Sequence, residues 1–246
     1  MQWFTIIFEQ PLYNLLVWLY INLPGADIGL AIIVVTVIIK GVLFPLTFKS
    51  LKSQREMQEI QPKIQELRQQ YKDDKERMAK ELMSVYKDHN VNPLASCLPL
   101  LIQLPIFIAL FRVLKDGLGE VNADLLYAFV PNPGMIDAVS LGFINLAEIF
   151  IPLAILAAAA QYFQAKLTIA QRPPKTVRKE KAAMDENMMA SMNKMMLYFM
   201  PVITLVIGVT SLPGGVMLYW FVTTALTAVL YSIFLKKKKE PAEEKS

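Results

Sequence analysis

Reactive side chains are scarce in this chain. It has one cysteine, Cys97, and one histidine, His89, in 246 residues. A lone cysteine closes no intrachain disulfide, and no Cys/His cluster with metal-ligand spacing occurs. Ser/His/Asp sets, Walker-type glycine loops and HExxH motifs are missing too. No enzymatic chemistry and no metal are therefore expected. Basic residues are absent from two long stretches. Residues 1–27 carry only Glu9 and Asp27, and residues 116–165 only Asp116, Glu120, Asp124, Asp137 and Glu148. Stretches without Lys or Arg belong outside a membrane. A basic start before an apolar run is also lacking, so no cleavable signal peptide is expected.

What is present is apolar. Hydrophobic residues make up 54% of the chain and the mean hydropathy is +0.39, which suits an integral membrane protein. Five runs have the character of membrane-spanning helices: 28–48, 94–115, 143–165, 195–212 and 216–235. Between the first two lies a polar insert, 49–93, with ten basic and eight acidic residues. Residues 166–194 hold seven basic against three acidic residues, and Lys236–Lys239 follow the last run. The positive-inside rule puts these three on the cytoplasmic side. The expected fold is an all-α integral membrane protein with five transmembrane helices, a cytoplasmic helical hairpin, N-terminus outside and C-terminus inside. Residues 116–142 form the outer loop and 236–246 a cytoplasmic basic tail.

Several stretches have two readings. In residues 1–27 the apolar part, Pro11–Leu23, is short for a span, and Trp3, Tyr13, Trp18 and Tyr20 suit an interface. A helix lying on the outer face is expected, with an extra span as the rival. In the insert, Ile60, Ile64, Leu67 and Tyr71, then Met78, Leu82 and Val85, recur at helical spacing around a polar break. Pro62 starts or kinks the first arm. This hairpin is either a spacer or a docking arm. Met184, Met188, Met192 and Met196 recur every four residues, as an amphipathic lead into the fourth span or a surface for varied apolar partners.

Lys40 sits near the middle of the run Gly29–Phe48. A lysine there costs roughly 2.5–3.5 kcal/mol on insertion scales, so it demands water or a counter-charge unless it snorkels to an interface. A charged residue facing a wet cavity is the working reading, with Thr36 one turn earlier on the same face. Gln103 interrupts the second run. Gln161 and Gln164 share a face of the third, as helix-to-helix hydrogen-bonding groups or as groove lining. Tyr219, Thr223, Thr227 and Tyr231 form a polar stripe along the fifth.

Four stretches carry a resemblance to a known family: 36–72 (TVIIKGVLFPLTFKSLKSQREMQEIQPKIQELRQQYK), 91–114 (VNPLASCLPLLIQLPIFIALFRVL), 150–167 (FIPLAILAAAAQYFQAKL) and 195–227, with its LPGGVMLYW segment. Together they resemble the YidC family of membrane protein insertases, in its short bacterial form without a large periplasmic domain. The resemblance implies a five-helix core with a cytoplasmic hairpin in the bacterial inner (plasma) membrane. It implies insertion of nascent proteins into the bilayer, alone or beside the Sec translocon, chaperoning of their folding, and no cofactor. It also implies a hydrophilic groove closed on the outer side and open to cytoplasm and lipid. The family's groove arginine falls here on Lys40, which keeps the charge and loses the bidentate fork. Thr36, Gln103, Gln161, Gln164, Tyr219 and Trp220 are the other expected groove residues. Expected partners are nascent membrane proteins, membrane lipids, the ribosome and its RNA through hairpin and tail, the Sec translocon and targeting factors.

Two other classes compete. A small anion transporter or channel would use Lys40 as its binding charge, and a structural scaffold would not need that charge. The tail generates a direct expectation. Each lysine near an anionic surface contributes about 1 kcal/mol and is screened by salt. Deleting residues 236–246 weakens co-sedimentation with ribosomes or anionic liposomes at low salt, and the difference vanishes as salt rises. Identical binding at every salt concentration would leave the lysines a topological role alone.

Overall fold

A computed structural model describes residues 2–71, 74–89, 91, 98–170 and 195–236. The molecule is helical, with nine main helices among these residues. In chain order they are α1 (Gln2–Asn22), α2 (Ile28–Val42), α3 (Phe44–Glu59), α4 (Gln61–Gln70), α5 (Lys75–Asp88), α6 (Leu98–Asp116), α7 (Ile151–Ala170), α8 (Met195–Thr210) and α9 (Gly214–Lys236). Two small antiparallel pairs lie between α6 and α7. They are β1 (Gly119–Glu120) with β2 (Met135–Ile136), and β3 (Val139–Ser140) with β4 (Ile144–Asn145).

Helix α9 is the hub, packing on α7, α2 and α6. On α7 four of the five buried residues are small, Ala154, Ala157, Ala158 and Ala165, with Leu153 the fifth, which lets α9 approach closely. At Gly208 of α8 a Cβ would come within 2.9 Å of the Ala154 methyl, so that helix also closes tightly on α7. Helix α2 buries Ile28, Ala31, Ile32, Val35 and Ile39 and exposes Ile33, Val37 and Ile38, an apolar helix with a core face and a lipid-compatible face.

By length and composition, α1 and α9 can each cross a membrane. Helices α2 and α3 make a third span if that bent pair counts as one, with an angle of 62° between them. Three features differ from the sequence expectation. The run 28–48 is bent at Leu43 rather than straight. Pro45 lacks an N–H, and its ring crowds the carbonyl four residues back, at Gly41, which bends the chain there. No helix break falls at 48/49, since α3 runs on into the hairpin. The third run starts as a helix at Ile151, with Pro152 in its first turn, and not at Phe143. Residues 143–150 instead form β4 and a turn whose Leu146 and Glu148 carbonyls accept from Gly215 N (2.9 Å) and Gly214 N (2.7 Å) at the start of α9.

Helix α1 is also longer than its apolar core. A π-helical turn, Thr5–Glu9, precedes Pro11 and carries the helix across it, giving 21 residues. Its side chains grip the segment between α6 and α7. Tyr13 Oη accepts from Asn122 N (2.8 Å), and Tyr20 Oη accepts from Asp137 N (3.0 Å). Asn14, almost fully buried, donates to Leu125 O and accepts from Tyr127 N, both at 2.7 Å.

Helices α4 and α5 pack against each other. Pro62 lies in the first turn of α4. Ile60, Ile64 and Val85 are buried with Val91, flanked by Leu67 and Leu82, while Tyr71 and Met78 stay outside this cluster. Cys97, the Met184–Met192 part of the methionine row and residues 237–246 lie outside the described residues.

Asp27 joins the N-terminus of α2 to β3. Its carboxylate caps Leu30 N (2.9 Å) and accepts from Ser140 Oγ (2.7 Å) and Leu141 N (2.6 Å). Burial pushes this carboxyl up, but the hydrogen bonds outweigh it and hold it below its ordinary value. A depressed folded value stabilises the protein above the unfolded carboxyl's value of about 3.9, and the gain is lost as pH falls through the folded value. In detergent, thermal stability should therefore fall more steeply below about pH 4 than in Asp27→Asn, which cannot titrate. Parallel pH curves for the two proteins would contradict the linkage.

Candidate functional site: a polar seam along helix α9

The expected groove residues come from four helices, and two of them, Gln103 and Lys40, bond α9 at separate heights. Tyr219, near its start, is 2% exposed. Its hydroxyl accepts from Gln103 Nε2 of α6. Trp220 is half-buried and meets the Phe107 ring edge-on, with 5.2 Å between centroids. Two turns further along α9, Thr227 Oγ1 accepts from Lys40 Nζ of α2 at 3.2 Å and donates to Thr223 O at 2.7 Å. One turn beyond, the Tyr231 hydroxyl donates to Gln54 Oε1 of α3. A stripe read from spacing alone thus bonds three different helices.

Lys40 is not mid-helix. It lies in the last turn of α2, just before the bend. The partial negative charge of the helix C-terminus favours a cation there. Its ammonium is half-buried and, among the described residues, makes no ion pair. Its protein partner is a neutral hydroxyl, so among the described residues the positive charge has no counter-charge.

The other expected residues stand elsewhere. Thr36 is wholly buried and returns its hydroxyl to Ile32 O of its own helix (2.6 Å). Gln161 accepts from Thr204 Oγ1 of α8 at 2.6 Å, the helix-to-helix use of an amide. Gln164 is half-buried one turn later on α7. Neither glutamine of α7 joins the Lys40 hydrogen bond.

Sequence reasoning missed one ion pair. Arg112 near the end of α6 bonds Glu9 of α1, Nη1 to Oε1 at 2.6 Å, and its guanidinium lies 5.3 Å from the Phe4 ring centroid. Thr5 Oγ1 donates to the other Glu9 oxygen at 2.8 Å. The signal was available: Glu9 is the first carboxylate of the chain, and Arg112 is a base at the wrong end for the positive-inside rule. A cleft of about 420 Å³ lies on the hairpin, lined by Glu56, Glu59, Ile60, Pro62, Lys63, Glu66, His89 and Val91, and shares no residue with the seam. Among the described residues no His/Cys/Asp/Glu group is arranged to hold a metal ion.

Residues 18–242 match the family described as the 60Kd inner membrane protein. The chain belongs to this family. Its relatives include proteins named membrane protein insertase YidC. The one from Pelobacter propionicus is 36% identical over 225 residues, covering 92% of this chain and 38% of the relative. The one from Fusobacterium nucleatum is 34% identical over 212 residues, covering 86% of this chain and 87% of the relative. That from Geobacter sulfurreducens is 32% identical over 245 residues, or 99% of this chain and 39% of the relative. The chain therefore spans about two fifths of the Pelobacter and Geobacter proteins and most of the Fusobacterium one. Family membership places the chain in the bacterial inner membrane, where its apolar helices fit.

The Gln161–Thr204 bond can be tested by a double-mutant cycle. Interhelical polar pairs in membranes couple by about 0.6 kcal/mol and reach about 1.7. Gln161→Leu and Thr204→Val should each lower stability in detergent, and together by less than the sum. Additive losses would mean the two side chains act independently.

Proposed function

We propose that this chain is a membrane protein insertase and chaperone that passes nascent proteins into the bilayer through a positively charged hydrophilic groove. The observation that carries the reading is Lys40, half-buried against an apolar bundle with a neutral partner and, among the described residues, no ion pair. Such a charge is held ready for an acidic group from outside the chain. At about 4 Å and an effective dielectric near 20, a unit pair gives roughly 4 kcal/mol before desolvation, enough to recruit an acidic tail without trapping it. Hydrophobic partition of the substrate helix supplies the rest of the driving force, in keeping with a sequence free of nucleotide-binding motifs. The names borne by the relatives support the same activity.

The proposed topology is five spans, with α2 and the start of α3 as the first, then α6, α7, α8 and α9. The N-terminus is outside, the C-terminus inside, and α4 and α5 form a cytoplasmic hairpin. Helix α1 then lies along the outer face. From Glu9 to Tyr20 it runs roughly 16 Å, and throughout that length its side chains bond the 112–137 stretch. A helix crossing upright would leave that level within a few turns. Nascent chains and lipids are the direct partners. The hairpin and tail are the surfaces for the ribosome and its RNA, with targeting factors and the Sec translocon as further partners. The anion-channel alternative loses support on the outer side, where Arg112 is already neutralised by Glu9.

The test is insertion into proteoliposomes of substrates whose translocated tails carry acidic or neutral residues. Lys40→Arg retains insertion. Lys40→Ala and Lys40→Glu lose it for acidic tails, by about tenfold or more, since 1.4 kcal/mol of lost attraction is about a factor of ten. Normal insertion of acidic tails by Lys40→Glu would remove the electrostatic basis of the proposal.

A further inference from the structure

Two hydrogen bonds bracket the bend at Leu43. Before it, Lys40 of α2 donates to Thr227 Oγ1, and after it, Gln54 of α3 accepts from the Tyr231 hydroxyl. Thr227 and Tyr231 are four residues apart and share one face of α9. One rigid helix therefore holds both arms of the bend, one turn apart. The far arm also meets α6, and Phe48, Ser50, Ser53 and Glu59 have contacts of their own. Leu51 is the one buried apolar side chain of α3 among the described residues, beside the buried hydroxyls of Ser50 and Ser53. Gln54 is engaged at both ends of its amide, since its Nε2 donates to Ser50 Oγ at 3.3 Å. Tyr231 is itself 9% exposed, so its bond is shielded from water.

We infer that Tyr231 and Gln54 form a latch that fixes the angle of the hairpin stalk α3 against α2, making Tyr231 a positioning residue for Lys40. Swinging α3 about Leu43 breaks the Tyr231–Gln54 bond and moves the chain three residues from Lys40, whose ammonium is tied one turn away on the same helix. The state of the hairpin and the presentation of the Lys40 charge are thus mechanically coupled. A partner that pulls on the hairpin changes how the charge meets a substrate. Only this last step rests on the insertase reading; the latch itself does not.

The experiment uses the full-length protein in lipid nanodiscs. Tyr231→Phe removes the hydroxyl and keeps the ring, and Gln54→Leu removes the acceptor. Loss of one net hydrogen bond corresponds to about two- to tenfold in an opening equilibrium. Deuterium exchange of the amides of residues 46–57 should speed up by that factor in either variant, with residues 214–225 unchanged. Acetylation of Lys40 by acetic anhydride, read by peptide mass spectrometry, should change by about the same factor. The double variant should add nothing to either single one. Unchanged exchange over 46–57, an equal rise across α7 and α9, unaltered Lys40 acetylation, or additive effects in the double variant would each overturn the latch. If Lys40→Glu inserts acidic tails normally while Tyr231→Phe still loosens α3 and alters Lys40 acetylation, the latch stands and the groove reading falls.

Discussion

Inside hydrocarbon a hydroxyl or amide has no water to bond, and leaving it unpaired costs several kcal/mol. Helix α9 carries such groups along one face; other helices bond three of them, and the buried Thr223 hydroxyl is left without a hydrogen-bond partner among the described residues. Gln103 of α6 meets Tyr219, Lys40 of α2 meets Thr227, and Gln54 of α3 meets Tyr231. Apolar packing alone does not discriminate between one lipid-facing helix and another, because lipid is as apolar as leucine. The seam therefore supplies the register that packing cannot. Helix α7 answers with small side chains instead of polar ones, and α8 joins it through Thr204 and Gln161. Helix α9 is where most of these contacts converge.

The chain beyond α6 meets a different problem. The segment between α6 and α7 has only two-residue strands, so few of its backbone groups find partners in a sheet. Side chains of α1 and Asp27 meet those groups instead, at Asn122, Leu125, Tyr127, Asp137 and Leu141. At Gly29 even a methyl would collide with the Ser140 side chain, so α2 and this segment touch directly. The Glu9–Arg112 pair belongs to the same platform. It explains how an arginine stands in the part of the chain that charge asymmetry assigns to the outside, since a paired base no longer weighs as a free positive charge.

Much of this was legible in the sequence. The order of helices, the hairpin seam of Ile60, Ile64, Leu67, Leu82 and Val85, and the polar stripe of α9 follow from spacing alone. Lys40 was legible as an anomaly. What the sequence concealed was partnership at long range. Thr204 is an ordinary hydroxyl until Gln161, 43 residues away, is placed beside it. Gln54 looks like one more polar residue of a charged insert until Tyr231, 177 residues on, reaches it. Boundaries were concealed for local reasons. Pro45 bends an apolar run that hydropathy counts as continuous, and the apolar residues 143–150 resemble a helix start although their carbonyls serve the amides of Gly214 and Gly215.

The choice of lysine at position 40 acquires a physical sense from its surroundings. An arginine brings five donors in a rigid fork and needs several acceptors when it leaves water. Among the described residues Lys40 bonds one, the Thr227 hydroxyl, and that oxygen already donates its own proton to Thr223 O. A lysine ammonium has three donors on a flexible stem. One can bond Thr227 while the others turn toward whatever acceptor comes near. The C-terminal end of α2 contributes a favourable dipole without supplying a carboxylate that would quench the charge. The result is a cation held loosely by neutral groups at the end of a bent helix. Among the described residues it makes no ion pair that would have to break before it meets a carboxylate.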